Sequence, residues 1–253
     1  MNKTDKTEPQ WQDLSLSIHN EMPVYPGDPK TRLHAFATFA SGAHQASQLR
    51  ISCHAGTHMD APRHFLENGV SVEAVDINRL ITQAWVTHAE PDPAGIVALD
   101  KVDMSGYQTG DALIVSTGWE EKADLPQYYQ SIPVFSSGSA EWLNNRGVKL
   151  FGLDLPTVAE LREDAVDAAS ESFDHPAADG HSESDKHRKT PELSMPADQE
   201  GMHKALLSNG VIILESLVNL TSLRGKRVQL IALPLKMTGA EGSPVRACAR
   251  ITS

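Results

Sequence analysis

Three short apolar runs constrain this chain more than any other feature: ALIVSTG at 112–118, VKLFGLD at 148–154 and VIILESLVNL at 211–220. Each is dominated by β-branched or other large apolar residues and is too short for a helix of ordinary length, so each reads as a buried strand. One carboxylate, Glu215, interrupts the third run. A carboxylate buried there needs a cation or hydrogen-bond partners to offset its desolvation.

Further strands are expected from DLSLSIH (13–19), TRLHAFATF (31–39), SQLRISC (47–53) and RVQLIALPLK (227–236). The prolines and glycine of MPVYPGDP mark an ordered loop. Helical spacing appears in VEAVDINRLI (72–81), in SAEWLNNRG with Ser137 or Ser139 as its cap and Gly147 as its stop, and in MHKALLSNG (202–210). Strands outnumber helices, and βα alternation is confined mainly to the second half. The expectation is a mixed α/β architecture, not a regularly alternating doubly wound one.

The chain has 253 residues, 40% of them hydrophobic, which suits one globular domain, 1–253. A net charge of −11 argues against nucleic acid or an anionic membrane as partner and is silent on small substrates. The two cysteines, Cys53 and Cys248, form no CxxC pattern and fit a reducing compartment. No signal peptide or membrane-length apolar run is visible, so a soluble cytoplasmic protein is expected. Residues 1–10 read as a polar tail. From Glu160 to Glu200 there are 12 acidic and 4 basic residues, with His175, His181 and His187 spaced six apart. That composition reads as a mobile or partly helical insertion in preference to a metal-scavenging tract.

The segment HAGTHMDAPRHF, 54–65, carries three histidines and an aspartate within eleven positions. A polar helix face would explain His54 and His58, but Asp60 would then point elsewhere, and Gly56, Thr57 and Pro62 lower helix propensity. A solvated loop conflicts with the packed-looking flanks LRISC and FLENGVSVEAV. A metal site explains the composition better, since imidazole and carboxylate suit zinc, manganese or iron. His64 could ligate as well, or stand beside the ion as a general base. Cys53 reads as a small core residue before a nucleophile. Trp119 could line a pocket or simply pack. His19, His34, His44 and His88 have no partner pattern. Neither GxSxG, GxGxxG nor a Walker A sequence occurs.

HxGTHxDxPxH resembles the signature of the metal-dependent cyclase family, which includes bacterial kynurenine formamidase and isatin hydrolase. The likeness extends to DLSLSIHNEMPVYPGDP, to MHKALLSNGVIILESLVNL and to LIALPLKMTGAEGSPVRA, leaving out the 160–200 segment. It implies a swivelling β/β/α fold with a mixed sheet and a homo-oligomer, dimer or tetramer. It also implies one or two divalent ions, zinc or manganese, per chain. His54, His58 and Asp60 would be ligands; His203 and Glu215 would hold a second ion with Asp60 bridging. His64 matches the catalytic histidine, and Tyr25 takes the place of an aromatic substrate contact. The implied activity is arylformamidase-like hydrolysis of a small aromatic N-acyl or N-formyl compound. Opening of a cyclic amide, as in isatin hydrolase, is the alternative within enzymes. A non-catalytic metal-binding protein is the alternative outside them.

Overall fold

A computed structural model of the chain describes residues 10–161 and 197–252. Most of the polar tail and the acidic segment between 162 and 196, with its three histidines, lie outside the described residues.

The strands are β1 (Gln12–Asp13), β2 (Arg32–Ala37), β3 (Ala46–Arg50), β4 (His58–Asp60), β5 (Ile81–His88), β6 (Ile96–Val97), β7 (Ala112–Ser116), β8 (Val134–Phe135), β9 (Leu150–Leu153), β10 (Glu160–Leu161), β11 (Ala197–Asp198), β12 (Ile212–Glu215), β13 (Lys226–Pro234) and β14 (Gly242–Ile251). The helices are α1 (Ser139–Asn145) and α2 (Gln199–Ser208). The main sheet runs β1-β14-β13-β5-β7-β9-β12-β4, and a further pairing of β14 with β4 closes it on itself. β5, β7, β9 and β12 are parallel, while β4, β13 and β14 join antiparallel. The mixed α/β expectation, with few helices and a mixed sheet, is met.

Side-chain alternation along the strands builds two cores. Ile114, Leu150, Ile212, Leu214 and Met59 face a core enclosed by the sheet, together with Val228, Leu230, Ala247 and Ala249. Leu113, Val115, Phe151, Leu153 and Ile213 face the opposite way and pack under Leu143 of α1 and Met202 and Leu206 of α2. The three apolar runs are therefore buried on both faces, as their composition requires.

Several local expectations differ from the structure. VEAVDINRLI forms two 3₁₀ turns, Val72–Ala74 and Ile77–Arg79, not one helix. Val75 and Asp76 between them are extended, and the Asp76 side chain caps the second turn by accepting from the Asn78 N–H. The helical spacing is still explained, because Val72, Val75 and Leu80 all point into the enclosed core. DLSLSIH pairs as a strand only at its start. Beyond it side chains replace the ladder: Ser15 Oγ bonds Ala247, and Leu16 N–H donates to Thr57 Oγ1. α1 begins after Gly138, which holds the N-cap position with a left-handed φ of 83° in place of Ser137 or Ser139, and Glu160 Oε1 accepts from the Ala140 N–H of its first turn at 3.3 Å. ITQAWVTH, unassigned in the sequence, is the central strand β5. Its Thr and Gln positions hide a run whose Ala84 to Thr87 are buried.

Among the described residues, β2 and β3 pair only with each other, and the hairpin exposes Phe36 (68%) and Phe39 (72%). β10 and β11 pair antiparallel, Glu160 with Asp198 and Leu161 with Ala197, so the undescribed segment leaves and returns at adjacent positions. Among the described residues, no helix is long and apolar enough to cross a membrane.

Candidate metal centre

β4 lies between β12 and β14, and its register sets the site. His58 is opposite Glu215 of β12 and Pro244 of β14, while Asp60 is opposite Ile213 and Gly242. With a two-residue repeat, His58 and Asp60 share one face, and Met59 between them fills the enclosed core. Glu215 joins that face by cross-strand pairing and ends β12 at the carboxyl end of the parallel strands, a usual place for sites in such sheets. The first turns of α2 bring in His203, and the 3₁₀ turn Pro62–His64 after β4 brings in His64.

The polar atoms converge. His54 Nδ1 is 2.9 Å from Asp60 Oδ1, and His58 Nε2 is 3.7 Å from the same oxygen. His58 Nε2 is also 3.2 Å from Glu215 Oε2. His203 Nε2 lies 3.5 Å from both Asp60 Oδ2 and Glu215 Oε1. His58, Asp60, His203 and Glu215 are all buried. Despite these short approaches, neither Asp60 oxygen has, among the described residues, a donor aligned as a hydrogen bond. Burying two carboxylates this closely costs several kcal/mol per ion unless something cationic compensates.

Backbone carbonyls fix two of the rings. Gly56 O lies 2.8 Å from His58 Nδ1, and Gln199 O lies 2.7 Å from His203 Nδ1. A carbonyl only accepts, so each Nδ1 donates, and each Nε2 is left facing the carboxylates. Gly56, at a φ of 67°, supplies the turn that aims its carbonyl at the His58 ring. Glu215 Oε1 also accepts from the Val158 N–H at 2.9 Å.

The titration behaviour of the metal-free chain follows. Burial alone would lower the His58 and His203 pKa values. Contacts with Glu215 and Asp60 outweigh it and raise His58 to about 9 and His203 to about 10. Burial likewise pushes Asp60 up, but the His203 and His54 contacts and the imidazolium charges hold it well below the usual carboxylate range. Glu215 is lowered too: burial and the Asp60 charge raise it, and its contacts with His203 and His58 prevail. His64 moves the opposite way, to about 4, because burial dominates; the Asp60 and Glu215 charges favour its protonation and the His54 and His203 charges oppose it. Three charged groups, His58, His203 and Glu215, thus crowd around Asp60 while the His64 imidazole beside them stays neutral.

Among the described residues, two sets of three could each hold a cation: His54, Asp60 and His64, and His58, Asp60 and Glu215. Asp60 belongs to both. All five residues expected to be ligands, with His64, are brought together. The rings also pack: His64 stacks on His54 with centroids 4.0 Å apart, and Phe65 stacks on His203 at 4.6 Å. Tyr25 stands one residue further out, donating its hydroxyl to Gln199 Oε1 at 3.1 Å and meeting Tyr129 edge-on at 5.8 Å. Phe65 follows His64 directly in the motif, whereas Tyr129 and Gln199 carried no sequence signal, because their contacts with Tyr25 are tertiary.

Among the described residues, the remaining histidines stay out of the site. His19 lies 3.8 Å from Asp124, His34 and His44 are exposed near or on the β2–β3 hairpin, and the His88 ring bonds the Ser116 carbonyl. Trp119 packs in the core and donates its Nε1–H to Tyr128 O. Cys53 is a free, partly buried thiol.

Comparison with known proteins agrees with this architecture. Residues 12–160 match the family model described as "Putative cyclase", and the chain belongs to that cyclase family. The match ends where the acidic segment begins. The kynurenine formamidase of Geobacillus thermodenitrificans (strain NG80-2) is 32% identical over 243 residues, covering 95% of this chain and 97% of the relative. The kynurenine formamidase of Bacillus cytotoxicus is 28% identical with the same coverage. Among solved structures, an isatin hydrolase bound to the product analogue thioisatinate superposes with a TM-score of 0.71 at 21% identity, covering 97% of this chain and 94% of that one. A potential metal-dependent hydrolase with cyclase activity gives 0.66 at 21% identity, covering 96% and 98%. These two share the fold.

Proposed function

We propose that this chain is a metal-dependent amidohydrolase of the arylformamidase type, cleaving a small aromatic N-acyl or N-formyl compound. The observation that carries the reading is Asp60. A fully buried carboxylate faces three imidazoles at 2.9 to 3.7 Å, and neither oxygen has an aligned donor. Such a cradle suits a divalent cation, which needs lone pairs and not directed hydrogens. The nitrogen and oxygen donor set fits zinc or manganese. His54, His58 and Asp60 would hold one ion, and His203 and Glu215 a second, with Asp60 shared. The kynurenine formamidase relatives support the substrate class.

When bound, such an ion lowers the pKa of water to about 7 and polarises a carbonyl. The chain's own residues do the rest. His64 is held at the rim by stacking on His54 and by edge contacts with Phe65 and His203. Its ring nitrogen takes a proton from the attacking water and returns it to the amine nitrogen as that leaves. The amide and one water become an acid and an amine, with no covalent intermediate. The Tyr25 hydroxyl is committed to Gln199, so Tyr25 presents its ring to an aromatic substrate. The free thiols fit a cytoplasmic location. The exposed apolar residues of the β2–β3 hairpin fit a homo-oligomer.

A panel of N-formylkynurenine, isatin and simple anilides, run with zinc- and manganese-loaded protein, tests the reading. Turnover of the formyl compound above the others is expected. Opening of isatin alone would reassign the chain to cyclic amides, and no turnover with either metal would refute the hydrolase.

A further inference from the structure

Of the three imidazoles expected to be ligands, His54 is the one with no backbone carbonyl among the described residues to orient it. Its Nδ1 faces Asp60, and its Nε2 lies 3.3 Å from Glu241 Oε1 without an aligned hydrogen bond. Glu241 sits immediately before β14, where its carbonyl oxygen accepts from the Ala61 N–H at 2.9 Å and the next residue, Gly242, pairs with Asp60. A side chain at 242 is excluded: a Cβ there would fall 2.6 Å from His54 Cε1 and 3.1 Å from Nε2. The glycine lets this backbone pass against the imidazole edge, and that approach places the Glu241 carboxylate at Nε2. On the other side the ring is held flat against His64.

From this geometry we infer that Glu241 is a positioning residue that selects the His54 tautomer, a role that rests on the metal reading above. An ionised carboxylate only accepts, so a neutral His54 facing it carries its proton on Nε2. The lone pair is then on Nδ1, the nitrogen turned toward Asp60. Carboxylates that hold the outer nitrogen of a ligating imidazole in this way typically contribute about 10–100-fold in metal affinity. Glu241 would act on the ion only through His54. Its side chain is 41% exposed, so its removal leaves no buried orphan charge and the fold should tolerate it.

The test is zinc affinity by chelator competition for wild type, Glu241→Ala, Glu241→Gln and His58→Ala, with long-range ¹H–¹⁵N spectra of the zinc-loaded imidazoles. Glu241→Ala should bind zinc about 10–100-fold more weakly. Glu241→Gln, which keeps an oxygen acceptor without the charge, should fall between Ala and wild type. The His54 pattern of protonated Nε2 and metal-bearing Nδ1 should hold in wild type and become mixed in Glu241→Ala. Wild-type affinity in both Glu241 variants overturns the inference, as does an affinity loss with an unchanged His54 pattern. His58→Ala separates this failure from that of the underlying reading. If His58→Ala also binds zinc like wild type, the metal centre itself is misplaced; if it alone loses zinc, only the role of Glu241 falls.

Discussion

Thr57, between Gly56 and His58, joins three segments of the chain. Its Oγ1 donates to Ser216 O at 2.6 Å and accepts from the Leu16 N–H at 2.9 Å, and the side chain is buried. Ser216 follows Glu215 directly and is held at a φ of 58°, a left-handed conformation that costs a residue with a side chain about 1–2 kcal/mol. The Thr57 hydroxyl is therefore one of the bonds that keep the end of β12 in a conformation it would otherwise leave. Thr57→Val preserves the shape and removes both bonds. Each buried group left unpaired costs about 1–3 kcal/mol, with the partly buried Leu16 N–H at the low end, so about 3 kcal/mol is expected in total. At about 2–4 °C per kcal/mol for a chain near this size, the melting temperature should fall by about 6–12 °C. Calorimetry in the presence of EDTA isolates the protein from metal linkage. Thr57→Ser is the control: it keeps the hydroxyl, loses one methyl group worth about 0.8 kcal/mol, and should fall by only about 2–3 °C. Equal melting points for Val and Ser would refute the argument that the hydroxyl ties Ser216 and Leu16 together.

Three other outcomes follow from the same geometry. His64→Ala should retain metal, measured by elemental analysis, yet lose at least about 10²-fold in kcat, as expected for a lost proton carrier; loss of the metal itself would make His64 a ligand. Glu215→Gln should lower the metal-to-protein ratio by about one equivalent after identical loading and desalting, whereas an unchanged ratio with unchanged turnover would remove Glu215 from the site. Deleting residues 165–195 and joining the ends with a short flexible linker should leave a folded, metal-loaded protein, because β10 and β11 already bring the two ends side by side; an insoluble variant would show that the segment packs.

The local part of the site was legible from its donor composition, three histidines and an aspartate interrupted by Gly56, Thr57 and Pro62 as a helix face would not be; that His58 to Asp60 form the strand β4, which puts the two on one face, came only from the structure. Glu215 stood out for a physical reason, a carboxylate in an apolar run, but its partner across the sheet depends on register, which the sequence does not display. His203 came only from resemblance, since one histidine on a short helix carries no pattern of its own. Glu241, Gln199 and the Thr57–Ser216 bond were missed because they act across 42 to 187 residues of chain through contacts that leave no local periodicity. The strand at 81–88 was missed for a related reason. Buried on both faces at its centre, it neither alternates nor forms a purely apolar run, because Thr82, Gln83 and Thr87 sit within it. The paired 3₁₀ turns at 72–79 show the converse, where apolar spacing satisfied by burial imitates a helix.

The central claim is that Asp60 and His58 help form a divalent metal site, and the metal content of the purified protein tests it most directly. Elemental analysis of wild type, after expression in medium supplemented with zinc and manganese and then desalting, should find one or two divalent ions per chain. The His58→Ala, Asp60→Ala double variant, prepared identically and shown to be folded by circular dichroism, should carry almost none. Full occupancy in that double variant would contradict the account.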